Sequence, residues 1–434
     1  MSLLNVDKVD PSTGTALELG TSGDTITVPT GAGLTVVDEV KTNKISPATG
    51  TAFTLGDSGD TFTVPSGATI ANSGTATGFG DATNFRPNVD PLIINGDMEL
   101  SQRGASFASN GYTLDRWIMD ENSDGAVTVT QDTDVPSGYG FAKSLKVDVT
   151  TADASIAANQ SCGFTQFFEG QNLQLLKYGT SNAENLTLSF WVKSVKTGTY
   201  CIRFVKEAGG LTRYETPIEY TISSASTWEK KVINLSPTAG STSLITGAAG
   251  VIVNSNASGF RIMFTLAAGT DYHSTNNTWV AGSNKFATSN QVNFLDSTSN
   301  NFWLTGVQLE VGEYTSATLP PFQHESYGDN LARCQRYYQL VQNWSGGVVN
   351  ASTAYVNAQF WCTMRTTPSV TTTGALNGND ITDNRNQSSG QVTLHGANEN
   401  GFWGGVGNWS SLTTNNPFNS RFQNTNKLAF SSEL

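Results

Sequence analysis

Residues 186–205 read Leu-Thr-Leu-Ser-Phe-Trp-Val-Lys-Ser-Val-Lys-Thr-Gly-Thr-Tyr-Cys-Ile-Arg-Phe-Val, and this stretch has the clearest strand pattern in the chain. Its first half has an apolar residue at every second position, which is the period of a strand with one buried face. A turn at 195–198 follows, and Tyr200, Ile202 and Phe204 repeat the alternation. We therefore predict an antiparallel β-hairpin at the centre of a large sandwich, because β-rich sequence continues on both sides of it.

The composition of the chain is typical of an all-β protein. Only 14% of the 434 residues are charged, 43 are glycine, and Thr, Ser and Asn are frequent throughout. These residues favour short strands joined by many turns over helices. The chain is longer than one ordinary domain, so several domains are expected.

The formal charge of −12 excludes two classes of partner. A nucleic-acid backbone and an anionic membrane surface would both repel so acidic a chain, so we expect no nucleic acid and no membrane insertion. No apolar run is long enough to span a membrane, and the first residues show no secretion signal. The cysteines lie far apart, which predicts buried thiols rather than disulfides or a zinc site (Cys162, Cys201, Cys334, Cys362).

A duplicated segment marks the N-terminal region. Lys8–Ala32 recurs 36 residues later as Lys44–Ala68, with apolar residues at matching places in both copies. Strands this short cannot close a core within one chain, so identical chains around a common axis are expected to supply the missing contacts. We predict a repetitive β shaft over 1–82 in a homotrimer. The alternative is a disordered leader rich in Gly, Ser and Thr.

The order of motifs from Leu92 onward resembles known families. The motifs are the stretch quoted above together with Leu92–Gly104, Tyr112–Trp117, Thr227–Asn234 and Phe302–Gly312. In this order they are similar to the jelly-roll carbohydrate-binding modules of families 4 and 9. They resemble still more closely the sandwich domains in tail fibres of bacteriophages, especially phages of marine bacteria. The resemblance covers roughly 92–318, and the duplicated leader and the C-terminal third are also similar to segments of such fibres.

The resemblance implies a structural virion protein that mediates adsorption to a host surface polysaccharide or lipopolysaccharide. It also implies attachment to phage tail or adaptor proteins through the N-terminal region, after assembly in the host cytoplasm. Two alternatives stay open. One is a polysaccharide-degrading tailspike, and the other is a carbohydrate-binding module of a cell-surface enzyme.

The sequence shows no constellation of residues for catalysis. The three histidines lie in different segments, and no zinc-protease motif, nucleophile elbow or phosphate-binding glycine loop is present (His273, His324, His395). Two of the 36 acidic residues could form a glycosidase pair, but nothing in the sequence selects them. We expect a protein without enzymatic activity and without a cofactor.

Two loops resemble parts of calcium sites. Carbohydrate-binding modules often hold calcium between a loop like Asn95–Glu99 and an acidic pair on the last strand, where this chain has Thr305 and Gly306. Asp120–Gly125 begins like an EF-hand loop, but the twelfth position is Gln131 instead of glutamate. We expect no bound metal and a hairpin turn at 120–125, so chelation should change the melting temperature little.

Residues 327–341 show the clearest helical pattern in the chain. Apolar residues recur there at the spacing of a heptad seam (Tyr327, Leu331, Cys334, Tyr338, Val341). This helix is expected to pack either on the sandwich or on a threefold axis. The predicted domains are a shaft over 1–82, a jelly-roll sandwich over 83–325, a linker helix over 326–342 and a small β tip domain over 343–434.

The receptor site is predicted in residues 398–409 of the tip domain. Sugar recognition needs flat aromatic faces for pyranose C–H groups and planar amides for hydroxyls. This segment combines both with several glycines (Phe402, Trp403, Trp409, Asn398, Asn400, Asn408). The alternative is that Trp403 and Trp409 fill the core of a small domain or its trimer axis.

Overall fold

The computed structural model describes residues 90–434, except 109, 208, 382 and 421–425. The predicted shaft and its duplicated segments lie outside the described residues. The described chain consists mainly of antiparallel β-sheets, so the all-β prediction is confirmed. None of its helices is both long and apolar enough to cross a membrane. The four cysteines are free, and three of them are buried.

A jelly-roll sandwich of two sheets contains the larger core, as predicted. The six-stranded sheet has the order β1-β4-β5-β13-β7-β10, formed by Ser106–Ala108 (β1), Ala126–Asp132 (β4), Ser144–Thr151 (β5), Asn301–Val311 (β13), Leu186–Ser194 (β7) and Glu229–Leu235 (β10). The facing sheet has the order β12-β9-β8-β11-β6-β3-β2, formed by Val280–Ala281 (β12), Tyr214–Ile222 (β9), Gly198–Lys206 (β8), Ser258–Ala268 (β11), Ser161–Glu169 (β6), Ile118–Glu121 (β3) and Gly111–Tyr112 (β2).

The predicted hairpin at the centre of the sandwich is wrong, because β7 and β8 belong to opposite sheets. β7 pairs with β10 and β13, and β8 pairs with β9 and β11. Their apolar faces meet across the core, where the ring of Phe190 lies 5.2 Å from that of Tyr220 and the ring of Tyr200 lies 5.9 Å from that of Phe302. The turn therefore carries the chain from one sheet to the other.

The turn at 120–125 also connects the two sheets, so the hairpin predicted there is wrong. β3 lies in the seven-stranded sheet and β4 in the six-stranded sheet. Glu121 Oε1 accepts a hydrogen bond from the backbone N–H of Ser123, and Asp153 Oδ2 accepts one from that of Asp124. The acidic side chains thus bond to backbone donors of the connection.

The helix is shorter than the sequence pattern predicted. α1 spans Tyr327–Gln335 and begins at Ser326, whose hydroxyl accepts from the backbone N–H of Asp329. Tyr338 and Val341, which the heptad pattern placed on the helix, lie in β14 (Tyr338–Val341). β14 pairs with β23 (Leu428–Ser431), and this pairing replaces the last turns of the predicted helix. Cys334 packs against Ile94 and Leu100, so α1 contacts the sandwich.

The C-terminal domain has a second core between two sheets. The small sheet has the order β14-β23-β17, with β17 at Ser369–Thr372. The large sheet has the order β19-β18-β22-β15-β16-β21-β20, formed by Asn384–Asn386 (β19), Asn377–Asn379 (β18), Pro417–Ser420 (β22), Ser345–Asn350 (β15), Thr353–Gln359 (β16), Gly401–Val406 (β21) and Val392–Asn398 (β20).

Charged hydrogen bonds connect the C-terminal domain to the sandwich, and we call this region the joint. The buried carboxylate of Glu169 accepts from Nε and Nη2 of Arg336, both at 2.8 Å, and from Tyr337 Oη at 2.6 Å. These bonds and Coulombic attraction to Arg336 outweigh the effect of burial, so the pKa of Glu169 is lowered. Arg116 of the sandwich forms an ion pair with Glu433.

Candidate functional site

The outer face of the large C-terminal sheet, which points away from the domain core, is the candidate site. β16 shows how the sequence creates it, because inward and outward residues alternate along the strand. Ala354, Val356 and Ala358 are buried, whereas Tyr355, Asn357 and Gln359 are exposed. The strand thus presents one aromatic ring and two amides to solvent.

Tyr355, His395 and Trp403 form an aromatic cluster on this face. The rings of His395 and Trp403 stack with centroids 5.1 Å apart and an angle of 18° between their planes. The Tyr355 ring lies 4.8 Å from His395 and 6.1 Å from Trp403. Trp403 is 50% exposed and Tyr355 is 40% exposed. The indole N–H of Trp403 bonds to none of the residues that the structure describes, so it is available to a ligand.

Two glycines provide the space that the aromatic cluster occupies. Strand pairing places Gly405 opposite Tyr355, and Gly396 opposite Trp403. A Cβ atom on Gly396 would lie 2.5 Å from Nε1 of Trp403, and one on Gly405 would lie 3.1 Å from Nε2 of His395. A side chain at either position would therefore displace a ring of the cluster.

A β-bulge brings His395 into the cluster. The register between β20 and β21 shifts between Leu394 and Gly396, which leaves His395 as the extra residue. Bulges redirect side chains at sheet edges, and β20 is the edge strand here. Leu394 pairs with Gly404 on one side of the bulge and Gly396 pairs with Trp403 on the other, so His395 lies beside Trp403 without a paired residue on β21.

An open groove runs beside the Trp403 ring. Its volume is about 470 Å³, and its lining includes the amide side chains of Asn357, Gln359 and Asn398. The side chains of Asn357 and Gln359 bond to none of the described residues. The groove therefore offers hydrogen-bond donors and acceptors next to a flat apolar ring.

The structure separates the three predicted aromatic residues. Trp403 lies on the outer face, but Phe402 and Trp409 are each only 4% exposed and belong to the domain core. The Trp409 indole N–H donates to the carbonyl oxygen of Val406 at 2.9 Å, and its ring lies 4.8 Å from that of Phe418. Phe402 and Trp409 therefore do not present their ring faces to solvent, and the alternative of a core role holds for Trp409 but not for Trp403.

The three predicted asparagines shape turns around the site. Asn398 Oδ1 accepts from the backbone N–H groups of Asn400 and Gly401, which closes the turn between β20 and β21. Asn400 Oδ1 accepts from the hydroxyl of Thr363 at 2.9 Å. Asn408 has a positive φ of 62° and donates to Ser389 Oγ. Of the three, only Asn398 lines the groove beside Trp403.

Three exposed aromatic or imidazole side chains of this domain were not among the site residues predicted from the sequence: Tyr355, His395 and Trp361. The alternation of β16 continues past its end to Trp361, which is 61% exposed. This alternation is visible in the sequence from Tyr355 to Trp361 and could have indicated an aromatic outer face. The place of His395 depends on the bulge, for which the sequence carries no comparable signal.

Two tryptophans on the sandwich, Trp228 and Trp303, are less available than Trp403. The indole N–H of Trp303 donates to Asp132 at 3.2 Å and that of Trp228 donates to Asp134 at 3.0 Å. The ammonium group of Lys193 lies 4.2 Å from the centre of the Trp303 ring. These indole groups already have protein partners, which favours a structural role for them.

The described residues contain no group of three or more His, Cys, Asp or Glu side chains placed to hold a metal ion. On β13, where the calcium-binding modules would need an acidic pair, this chain has Thr305, whose hydroxyl donates to the carbonyl oxygen of Lys143 at 2.8 Å. A cleft of about 220 Å³ nearby is lined by Asp97 and Glu325, and burial raises the pKa of both carboxyls. Glu325 is paired with Arg333 at 2.6 Å, so this carboxylate already has a cationic partner.

No protein-family model and no curated protein matches this chain. Several solved structures are similar to part of this chain at low sequence identity. The enzymatically active domain of tailspike protein 4 of bacteriophage CBA120 is 14% identical with a TM-score of 0.28, and the match covers 51% of this chain and 21% of that one.

A putative sugar-binding protein from Bacteroides thetaiotaomicron is 11% identical with a TM-score of 0.26, and the match covers 51% of this chain and 100% of that one. The family 11 carbohydrate-binding module of the cellulase Lic26A-Cel5E of Clostridium thermocellum is 13% identical with a TM-score of 0.24, covering 49% of this chain and 99% of that one. Similarity at this level does not establish a function for this chain.

Proposed function

We propose that this chain is a bacteriophage tail-fibre protein that binds a glycan of the host cell surface and does not cleave it. The observation that supports this proposal is the exposed Trp403 ring, which lies over Gly396 beside the amides of Asn357 and Gln359. These two amides bond to none of the described residues. A flat apolar ring beside planar amides matches the alternating C–H and hydroxyl groups of a pyranose. The order of sequence motifs supports the assignment to phage fibres.

The proposal includes a homotrimer attached to the phage tail or an adaptor protein through residues 1–82. The duplicated sequence of this region supports it, because the short strands predicted from that sequence would need partners from identical chains. A trimer would also present three copies of the site, and repeated weak contacts gain in avidity. We expect a solution mass of about three times the chain mass of 46.2 kDa. A monomer in sedimentation equilibrium would contradict this part of the proposal.

The binding function is tested with Trp403→Ala in the full chain. We expect the variant to lose binding to bacterial polysaccharides and lipopolysaccharides on a printed array, with an unchanged melting temperature and solution mass. Tyr139→Ala is the matched control, because Tyr139 is an exposed aromatic residue of the sandwich that stacks on Trp191. Full binding by Trp403→Ala would overturn the site. A reduced solution mass would instead place Trp403 at an interface between copies of the chain.

The absence of cleavage is tested separately. Each polysaccharide bound on the array is incubated with the protein and then sized by gel filtration. We expect its length distribution to stay unchanged. A shortened polymer would favour the polysaccharide-degrading tailspike over a binding protein.

A further inference from the structure

A row of side chains crosses the outer face at right angles to the strands. Strand pairing aligns one residue from each of five successive strands: Trp403, Asn357, Ser345, Asn419 and Asn379. Residues paired across neighbouring strands point to the same side of a sheet. All five therefore face outward with Trp403, and we call them the amide row.

The middle of the amide row is free to bind a ligand. Asn357, Ser345 and Asn419 are exposed, and their side chains bond to none of the residues that the structure describes. Each can donate and accept hydrogen bonds, as a sugar hydroxyl also does. At the far end, Asn379 Oδ1 accepts from the backbone N–H of Ile381 at 2.8 Å, so this side chain is partly engaged and marks the limit of the row.

The amide row has the length of a short oligosaccharide. Neighbouring strands lie about 4.8 Å apart, so the four intervals from Trp403 to Asn379 span about 19 Å. A pyranose unit extends a linear glycan by nearly the same distance as one strand spacing. The row therefore matches roughly four to five sugar units, one for each strand.

The outer face carries no charge along the amide row. The outward positions of β15, β16 and β21, as far as the structure describes them, are occupied by Ser, Gly, Val, Thr, Tyr, Asn, Gln and Trp. The whole chain has 36 acidic and 24 basic residues, so this neutrality is a local property. A carboxylated or sulfated glycan would lose hydration along these side chains without gaining a lysine or arginine partner there. The basic group beside the row is the imidazole of His395, which stacks on Trp403 at one end.

We infer that the amide row binds an internal stretch of a linear, neutral polysaccharide. One sugar ring stacks on Trp403, and the following units lie across the strands toward Asn379. This inference rests on the proposed function and adds the charge class and length of the bound glycan to it.

The charge class is tested on the full chain with neutral and acidic polymers. Mannan, dextran, galactan and N-acetylglucosamine oligomers represent the neutral class, and alginate, hyaluronan and dextran sulfate represent the acidic class. Lipopolysaccharide O-chains of known neutral or acidic structure are included. We expect binding that depends on Trp403 to be confined to neutral polymers and unchanged between 50 mM and 500 mM salt. Trp403-dependent binding of acidic polymers would overturn the inference but preserve the proposed function.

The length is tested by calorimetry with oligosaccharides of two to seven units from a bound polymer. We expect affinity to increase up to roughly four to five units and then to level off. Asn419→Ala should weaken binding of the hexasaccharide by about 3- to 10-fold but leave the disaccharide unaffected. Asn182→Ala is the control, because Asn182 is an exposed asparagine on a sandwich loop.

A plateau at two units, or equal affinities for Asn419→Ala and the unmodified chain, would overturn the amide row while Trp403 remained a binding residue. If no polymer bound in a Trp403-dependent manner, the proposed function itself would fail and the inference would fail with it.

Discussion

Whether an aromatic ring on this protein is a surface or a core group depends on its position within the alternation of a strand. Phe402 and Trp403 are adjacent, yet the first is buried and the second is half exposed. The sequence was sufficient to predict that these two aromatic residues are candidates for a binding site. It was not sufficient to predict which of the two faces solvent, because β21 continues as Gly404-Gly405 and has too few side chains to show an alternation.

Gly396→Ala is expected to weaken glycan binding without unfolding the domain. The added Cβ would lie 2.5 Å from Trp403 Nε1, so the indole must shift from its position in the aromatic cluster. Gly396 has no positive φ, so its backbone accepts alanine. Binding to the polysaccharide array and thermal melting are the measurements.

Gly347→Ala is the matched control for this substitution. Gly347 lies on the same face, and its added Cβ would have its nearest neighbour 3.9 Å away. Undiminished binding by Gly396→Ala would show that the orientation of the Trp403 ring does not matter to the site.

Trp409→Ala is expected to destabilise the C-terminal domain by about 3–5 kcal/mol, because it leaves a cavity in the core between Trp344 and Phe418. Trp403→Ala removes a ring of the same size from the surface and should cost far less. Chemical denaturation of both variants, followed by near-ultraviolet circular dichroism, measures the difference. Equal losses of stability would mean that the Trp403 ring packs as a core residue does.

At the scale of elements, the strands were predictable from the sequence and their partners were not. β7 and β8 have the alternation expected of a hairpin, and the turn between them has a glycine at its end. The same pattern suits two strands that face each other across a core, because both arrangements bury one face of each strand. β7 and β8 do not pair with each other because other strands occupy both of their edges. β10 and β13 flank β7, and β9 and β11 flank β8.

A buried ion pair between β8 and β9 allows a prediction at this scale. Arg203 donates to Glu215 through Nε at 3.1 Å and Nη2 at 2.7 Å, and both side chains are almost fully buried. Glu215→Ala would leave the guanidinium of Arg203 in the protein interior without its partner. We expect the free energy of unfolding to fall by about 3–5 kcal/mol.

The double variant Arg203→Met with Glu215→Leu should recover much of this loss, because it leaves no unpaired charge. Urea denaturation of the single and double variants measures both effects. A double variant no more stable than Glu215→Ala would show that the packing around the pair, instead of its charge, determines the stability.

At the scale of the whole molecule, Asp115 makes the joint sensitive to pH. Its side chain is buried and accepts from Gln102 Nε2 at 2.9 Å, and the same amide donates to the carbonyl oxygen of Tyr338 in the C-terminal domain. Burial raises the pKa of Asp115 to about 6, with opposing contributions from Gln102 and Arg103. The native protein therefore binds a proton at Asp115 at a higher pH than the unfolded chain does.

The stabilisation that results from the raised pKa of Asp115 is fully present below pH 3.8, the carboxyl pKa taken for the unfolded chain. It is lost as the pH rises through about 6, the pKa of Asp115 in the native protein. We expect the melting temperature of the unmodified chain, relative to that of Asp115→Asn, to rise as the pH is lowered from 7 to 4.5. Differential scanning calorimetry at several pH values measures this difference. The contributions of the other titrating groups cancel in it, because both proteins contain those groups. A difference that stayed constant or fell would contradict the raised pKa.

The all-β class could be predicted for the described residues, because composition and the alternation of apolar residues indicate strands along the chain. The joint could not, since it depends on residues far apart in sequence. Glu169 contacts Arg336, and Arg116 contacts Glu433. In the sequence, Arg336 lies off the heptad seam of residues 327–341, and no sequence pattern indicates that it meets a buried carboxylate of β6.

The joint also affects the entropy of any binding event on the outer face. A domain on a flexible linker loses orientational freedom when it docks on a surface, and this loss weakens association. Here the charged contacts of Glu169 and Glu433 order the C-terminal domain against the sandwich when the chain folds. The outer face of the large sheet is therefore preorganised, and a ligand on it does not have to immobilise one domain relative to the other.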